Sequence, residues 1–181
     1  MQTNTSSHFV DLVKQAYEQD AKAGRLEYKN SFYVQRGPYD IVSVMSESIN
    51  SNPYTINGPV IDLFDPQLPV LAKKTVDTGH QALLFNVGRV ANKKQPQVVA
   101  SASRVYEEVV APGSYSFVSK SPVNTVNSMR ILLPAEPKSI VLTDSKGEKL
   151  ADVKSSWDAS SHTCFLGFEN SPEGTHVKLS W

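Results

Sequence analysis

Trp157 stands between Lys154-Ser155-Ser156 and Asp158–Ser161, an indole in a run of polar residues. A solvent-facing aromatic ring beside a carboxylate is suited to a sugar: the ring packs on the apolar face of a pyranose, and the carboxylate accepts from its hydroxyls. Trp157 and Asp158 are therefore the candidate carbohydrate-binding pair. Packing on a sheet edge is the favoured reading for the same ring, with sugar stacking as its alternative. Tyr33, Tyr39, Tyr54, Tyr106, Tyr115 and Trp181 are further aromatics, but rings make up only 9% of the chain, and a β core takes most of those.

Other chemistries find less support. Hydrolysis of a glycosidic bond needs two carboxyl groups at a set separation. Asp62 and Asp65 are three residues apart, which in a strand sends them to opposite faces. Asp65 also precedes Pro66, so it reads as the cap of its own turn. Asp40, Glu47 and Glu107-Glu108 are scattered. An independent enzyme would need distant groups such as Asp62, Glu47 and a histidine to converge. His8, His80, His162 and His176 show no metal-ligand spacing, so no metal site is predicted. His162 and His176 enter successive predicted strands, where a meeting across a ladder is the alternative to the favoured reading of separate surface or edge histidines. Cys164, the single cysteine, excludes an intrachain disulfide and reads as a buried thiol. Ser46 lacks the flanking glycines of a nucleophile elbow. The nine glycines do not cluster into a phosphate cradle, so no nucleotide or other cofactor is predicted. Neither catalytic nor cofactor-binding residues are assigned.

These residues need elements to position them. The 181 residues suit one domain with a small addition. With 40% hydrophobic residues the chain can bury a core. Eighteen basic and eighteen acidic residues cancel, leaving no excess cation to replace phosphate counterions, so no nucleic-acid partner is predicted. No apolar run is long enough to cross a membrane as a helix, and no membrane insertion is predicted. Met1–Ser7 has neither the basic nor the apolar region of a secretory signal.

One amphipathic helix is predicted near the start. Phe9, Val13, Ala16 and Tyr17 recur at helical spacing, widened by Val10 and Leu12, with Ser6 or Ser7 as cap and Gly24 as terminator. From Leu26 the pattern becomes short β-rich runs between Pro, Gly, Asn, Asp and Ser clusters. Strands are predicted at 31–36, 39–45, 54–56, 60–64, 70–76, 81–87, 97–106, 115–119, 128–133, 139–143, 148–153, 163–168 and 175–181. Asp77-Thr78-Gly79 and Glu173-Gly174 read as hairpin turns. Gly37 and Gly58, each before a proline, are positions where glycine's access to positive φ is expected to matter. The fold class is all-β: an antiparallel β-sandwich, jelly-roll-like or immunoglobulin-like, over 26–181, with a tail and linker helix over 1–25.

Several stretches carry more than composition. Gln35-Arg36-Gly37-Pro38-Tyr39 leads into a strand ending Ser46-Glu47-Ser48. Gly58-Pro59-Val60-Ile61-Asp62-Leu63-Phe64-Asp65-Pro66-Gln67-Leu68-Pro69-Val70 follows, then a turn at Gly79 and Leu83-Leu84-Phe85. Tyr115-Ser116-Phe117-Val118, Ser121-Pro122 and Phe168-Glu169-Asn170-Ser171-Pro172-Glu173-Gly174 come later. Over Glu27 to Trp181 the chain resembles the carboxy-terminal β-sandwich region of large glycan-processing, glycoside hydrolase-like proteins of Bacteroidetes-type bacteria. The resemblance implies a non-catalytic accessory domain partnered by a neighbouring domain of a parent protein, and it allows glycan as a second partner. It also implies a periplasmic or cell-surface location. It transfers no catalytic residue.

Overall fold

The computed structural model describes residues 3–181. It opens on α1 (Thr3–Gln15), which runs into a single π-helical turn over Ala16–Asp20. The helix begins ahead of Ser6 and Ser7, so neither occupies the expected cap position. The helical segment ends at Asp20 with Ala21 as its cap, and left-handed Lys22, at φ +52°, follows it; Gly24 is also left-handed, at φ +89°, but lies beyond the end it is expected to terminate. Leu26 donates its N–H to Glu18 Oε1 at 2.9 Å and ties the linker to the helical turn. Every side chain from His8 to Tyr17 is exposed, including Phe9, Val10, Leu12 and Val13.

The rest is antiparallel β-structure. The first five strands are β1 (Ser31–Arg36), β2 (Tyr39–Val44), β3 (Tyr54–Asp62), β4 (Val70–Val76) and β5 (Gln81–Asn86). They form one sheet in the order β1-β2-β5-β3-β4. Alternation along β2 sends Asp40, Val42 and Val44 inward and leaves Tyr39 and Ile41 exposed. Val42, Val44, Ile56, Val60, Val76, Ala82 and Leu84 make the inner cluster. Tyr54–Asn57 pairs with β4, and only Val60–Asp62 also reaches β5. The register shifts between Asn57 and Val60, a bulge that bends β3. The two short strands predicted here are thus one bent strand, with a cis Gly58-Pro59 bond at the bend. Gly37 sits at φ +57°, but Gly58 is not left-handed. Its requirement is steric: a Cβ there would lie 2.3 Å from the Leu71 carbonyl oxygen.

The remaining strands are β6 (Gln97–Ser101), β7 (Arg104–Ala111), β8 (Ser114–Lys120), β9 (Val126–Leu132), β10 (Ser139–Thr143), β11 (Lys154–Asp158), β12 (Thr163–Glu169) and β13 (Thr175–Ser180). They form a sandwich of two four-stranded sheets, β11-β12-β9-β6 and β10-β13-β8-β7. Its core includes Tyr115, Phe117, Met129, Ile131, Leu142, Cys164, Leu166, Phe168, Val177 and Leu179, drawn from both sheets. The fold class is as the sequence predicts, an antiparallel β-sandwich with one helix at the front, joined here by a third, five-stranded sheet.

Three local expectations are corrected. The predicted strand 97–106 breaks at Ala102-Ser103 and its halves enter different sheets. Ser103 turns the chain, donating its N–H to Ser101 Oγ at 3.1 Å and sharing a hydroxyl hydrogen bond with Ser119 at 2.7 Å. The predicted strand 148–153 forms only a single bridge, Thr143 to Lys149, and Leu150 and Val153 pack on the sandwich core without a ladder. A strand starts after it instead, at Lys154. Finally, β4 does not pair with β5, nor β12 with β13. Cys164, Leu166 and Phe168 of β12 meet Val177 and Leu179 of β13 across the core, so burial sends the strands to opposing layers.

A third cluster joins the two units. Ile61 and Phe85 of the first sheet, Val87 and Leu68 beyond its strands, and Val99 and Leu132 of the sandwich are buried together.

Two outcomes are expected. Gly58→Ala should cost roughly 2 kcal/mol or more, because backbone must move to admit the methyl. Gly37→Ala, with open space around it, should cost only about 1 kcal/mol for its left-handed backbone. Thermal melts of both variants check the ranking. Deleting residues 1–24 should leave the melting temperature and β-sheet circular dichroism unchanged, since α1 buries no described side chain.

Candidate functional site

The sequence-predicted pair lies at the end of β11. Trp157 is opposite Cys164 of β12 and packs against the sandwich core, with its indole edge-on to His162 at 6.0 Å between centroids. Asp158 caps the turn that follows. Its Oδ1 accepts from Ser160 Oγ at 2.7 Å, the Ser161 N–H at 2.8 Å and Ser161 Oγ at 2.8 Å. Burial pushes this carboxyl up, but those bonds and the charge of Arg130 outweigh it and hold the group below its ordinary value. The ring is thus committed to the core and one carboxylate oxygen to its own turn.

A more open site lies on the seam between the two β units. Its floor is β6 and the start of β9, and its rim is the loop between β3 and β4. That loop is shaped by Asp65, whose Oδ1 accepts the Gln67 N–H at 2.8 Å while its carbonyl accepts the Leu68 N–H at 2.9 Å. The predicted turn-capping role of Asp65 is therefore observed. The groove has a volume of about 560 Å³ and is lined by Tyr39, Asp65, Ser101, Glu108 and Ser128 among apolar residues. Tyr39 is exposed on one side and rests edge-on against Phe85, 5.5 Å between centroids and at 87°. Glu108 accepts the hydroxyl of Tyr115, and burial together with that bond pushes the Tyr115 phenol above its ordinary value. An aromatic ring, two carboxylates and two hydroxyls share this groove, a set able to hold a polar ring compound. Tyr39 was visible in the sequence only as one tyrosine among seven, because nothing local says which aromatics a seam leaves uncovered.

Beside the groove, Asp40 is fully buried and bonded on both oxygens. Arg89 donates to its Oδ1 at 2.5 Å, Tyr33 Oη donates to the same oxygen at 2.6 Å, and Asn86 Nδ2 donates to Oδ2 at 3.2 Å. Burial pushes the carboxyl up; the donated hydrogen bonds and the Arg89 charge more than reverse this and hold it below its ordinary value. The Tyr33 phenol is raised by donating to that carboxylate. Tyr33 also stacks on Tyr54 at 5.5 Å. This cluster fixes the Val87–Arg89 turn against β2 and so helps set the wall that carries Tyr39 and Phe85.

The remaining candidates are occupied or apart. Asp62 pairs with Lys74 at 2.7 Å and accepts the Phe64 N–H at 3.1 Å. His162 lies in the β11–β12 turn and His176 in β13, both exposed and apart, as expected of surface histidines, and they do not meet across a ladder. Cys164 is buried, and burial pushes its thiol up to about 11. Among the described residues, no three His, Cys, Asp or Glu side chains gather as a metal site. Among the described residues, no helix is long and apolar enough to cross a membrane.

An antiparallel sandwich with an added sheet and a seam groove is therefore the class this chain presents. No protein-family model matches the sequence, and no curated protein matches it. Among solved structures it is similar to a GH31 dextranase of Flavobacterium johnsoniae, determined in complex with isomaltotriose, with 11% identity and a TM-score of 0.38. That likeness covers 93% of this chain and 28% of the dextranase chain.

Because folding depresses the Asp40 carboxyl, its contribution is present above the ordinary carboxylate range and fades as pH falls through its lower folded value. Arg89→Gln should cost about 2 kcal/mol at neutral pH, leaving a buried carboxylate with only Tyr33 and Asn86. Melting temperatures measured from pH 7 to about 2 should fall more gently in Asp40→Asn than in the parent below pH about 4.

Proposed function

We propose that this chain is a non-catalytic accessory domain of a glycan-processing protein, seated against a neighbouring domain of its parent. The observation that carries the partner is α1. Phe9 is 67% exposed, and Val10, Leu12, Val13 and Tyr17 extend the same uncovered apolar side. An amphipathic helix whose described side chains are all exposed is built to be covered by something else. The outer face of the first sheet adds exposed apolar residues along the β1–β2 pair: Phe32 opposite Ser43, Ile41 opposite Val34 and Tyr39 opposite Arg36. The glycan half of the reading rests on the sequence resemblance of residues 27–181. A location outside the cytoplasm belongs to that same resemblance. The candidate carboxylates support the non-catalytic reading, since Asp40, Asp62 and Asp158 are each held by neighbours in structural bonds.

A second reading, a carbohydrate-binding module, is favoured by the seam groove. Tyr39, Asp65, Glu108, Ser101 and Ser128 supply there the ring, acceptors and hydroxyls that Trp157 and Asp158 supply at the sandwich edge only in part.

Purified chain incubated with a polysaccharide panel should release no reducing sugar, and release would overturn the accessory reading. On a glycan array, a signal abolished by Tyr39→Ala and kept by Trp157→Ala would place binding in the groove; the reverse would place it at Trp157 and Asp158.

A further inference from the structure

The outer face of the β11-β12-β9 sheet carries a buried cation that makes no ion pair. Register aligns Ser156, Phe165 and Arg130 in one row and Lys154, Gly167 and Ser128 in the next. Met129 and Ile131 point into the sandwich core, so Arg130 points outward, under the loop between β3 and β4. It is only 7% exposed. Its Nε donates to the Leu68 carbonyl at 2.9 Å, and one terminal nitrogen approaches Thr163 Oγ1 at 3.5 Å. The guanidinium lies 5.5 Å from the Phe165 ring centroid. Among the described residues the ion pairs are Lys74 with Asp62 and Arg89 with Asp40, so Arg130 has no carboxylate partner. Its nearest negative charge acts through a chain of hydroxyls, Thr163 to Ser161 at 2.7 Å and Ser161 to Asp158 at 2.8 Å.

A guanidinium has five N–H donors, and the bonds just described use two. Among the described residues the buried side-chain polar atoms left without a partner are the Asn127 and Asn170 amide oxygens, so the spare donors of Arg130 are not sealed in. They open on a groove of about 540 Å³ lined by Pro66, Gln67, Ser128, Arg130, Lys154 and Phe165, with no acidic residue along it. In a chain of zero net charge, a groove lining with two cations and no acid is a local excess that draws an anion, with Asp158 acting on Arg130 from outside the lining. The Leu68 carbonyl and the Phe165 ring hold the guanidinium in place, and a fixed planar fork matches a carboxylate. Ser128 and Ser156 add hydroxyls along the same wall. The groove is too roomy for a small inorganic ion alone and meets the seam groove at Pro66, Val126 and Ser128.

We propose that Arg130 and Lys154 form the subsite for the carboxylate of an acidic sugar unit, in a glycan that continues past the Pro66 loop into the seam groove. The proposal rests on the carbohydrate-binding reading for its sugar scaffold; the charge arrangement supplies the acid. Arg130 gives the directional contact, and Lys154, exposed at the rim, gives attraction that salt screens.

The test is calorimetric titration of the full chain with an oligogalacturonate, its methyl ester, a neutral oligosaccharide panel and inorganic sulfate. Expected is binding of the oligogalacturonate at least tenfold tighter than its ester and weakened by 0.5 M salt. Lys154→Glu, an exposed change that leaves the core untouched, should weaken it at least tenfold, and Arg130→Lys should weaken it further if that variant folds. Equal binding of acid and ester, or no effect of Lys154→Glu, overturns the subsite. Sulfate binding as tight as the oligogalacturonate overturns the sugar-acid assignment. Neutral glycans bound through Tyr39 with no added affinity from the acid would sink this proposal and leave the carbohydrate-binding reading standing; no binding by any glycan would sink both.

Discussion

Ile61, Leu68, Phe85, Val87, Val99 and Leu132 hold two β units in one frame, and each candidate site on the seam is placed by that contact. Neither unit buries these side chains alone. β5 shows why. Ala82 and Leu84 face the first sheet's inner cluster, while Phe85 turns to the seam, so the end of this strand is buried on both sides. Burial at the usual worth of apolar area makes such a six-residue cluster an attraction between the units. Its position also brings the Leu63–Pro69 loop over the outer face of the sandwich. The Leu68 carbonyl can then take the Arg130 Nε–H, and the grooves on either side of Pro66 come into being.

Charge is treated differently at the two ends of this seam. Asp40 is sealed and fully answered by Arg89, Tyr33 and Asn86, an arrangement that fixes geometry. Arg130 is almost as deeply placed, yet it is answered only by a carbonyl, a hydroxyl and a ring. A buried charge without a counter-charge is costly unless donors remain open to solvent or ligand. The first pair behaves as a structural clamp; the second residue retains capacity for another group.

Much of the fold was legible because it is local. Ser31–Arg36, Val70–Val76 and Ser139–Thr143 form strands at the bounds that their β-branched runs and flanking turn residues predict. Asp65 caps its turn through its own main chain, which needs only neighbours in sequence. The misses share a cause. Lys154-Ser155-Ser156-Trp157-Asp158 has no apolar alternation because Trp157 is the residue it turns to the core, so its strand character comes from pairing with β12. Gly58 looked like a left-handed glycine, but its constraint is the approach of a strand twelve or more residues later.

The amino-acid sequence by itself determined the class of the molecule: short β runs, one front helix, a neutral surface, and a core rich enough to close a sandwich. It also determined which residues had the chemistry to matter. Tertiary structure decided which of them are free. It turned Trp157 inward and committed one oxygen of Asp158 to its turn, left Tyr39 uncovered, and set Arg130 beneath a loop without an acid. The reason is physical. Alternation and turn propensity act over a few residues, whereas exposure and charge pairing depend on which distant surface arrives to cover a side chain.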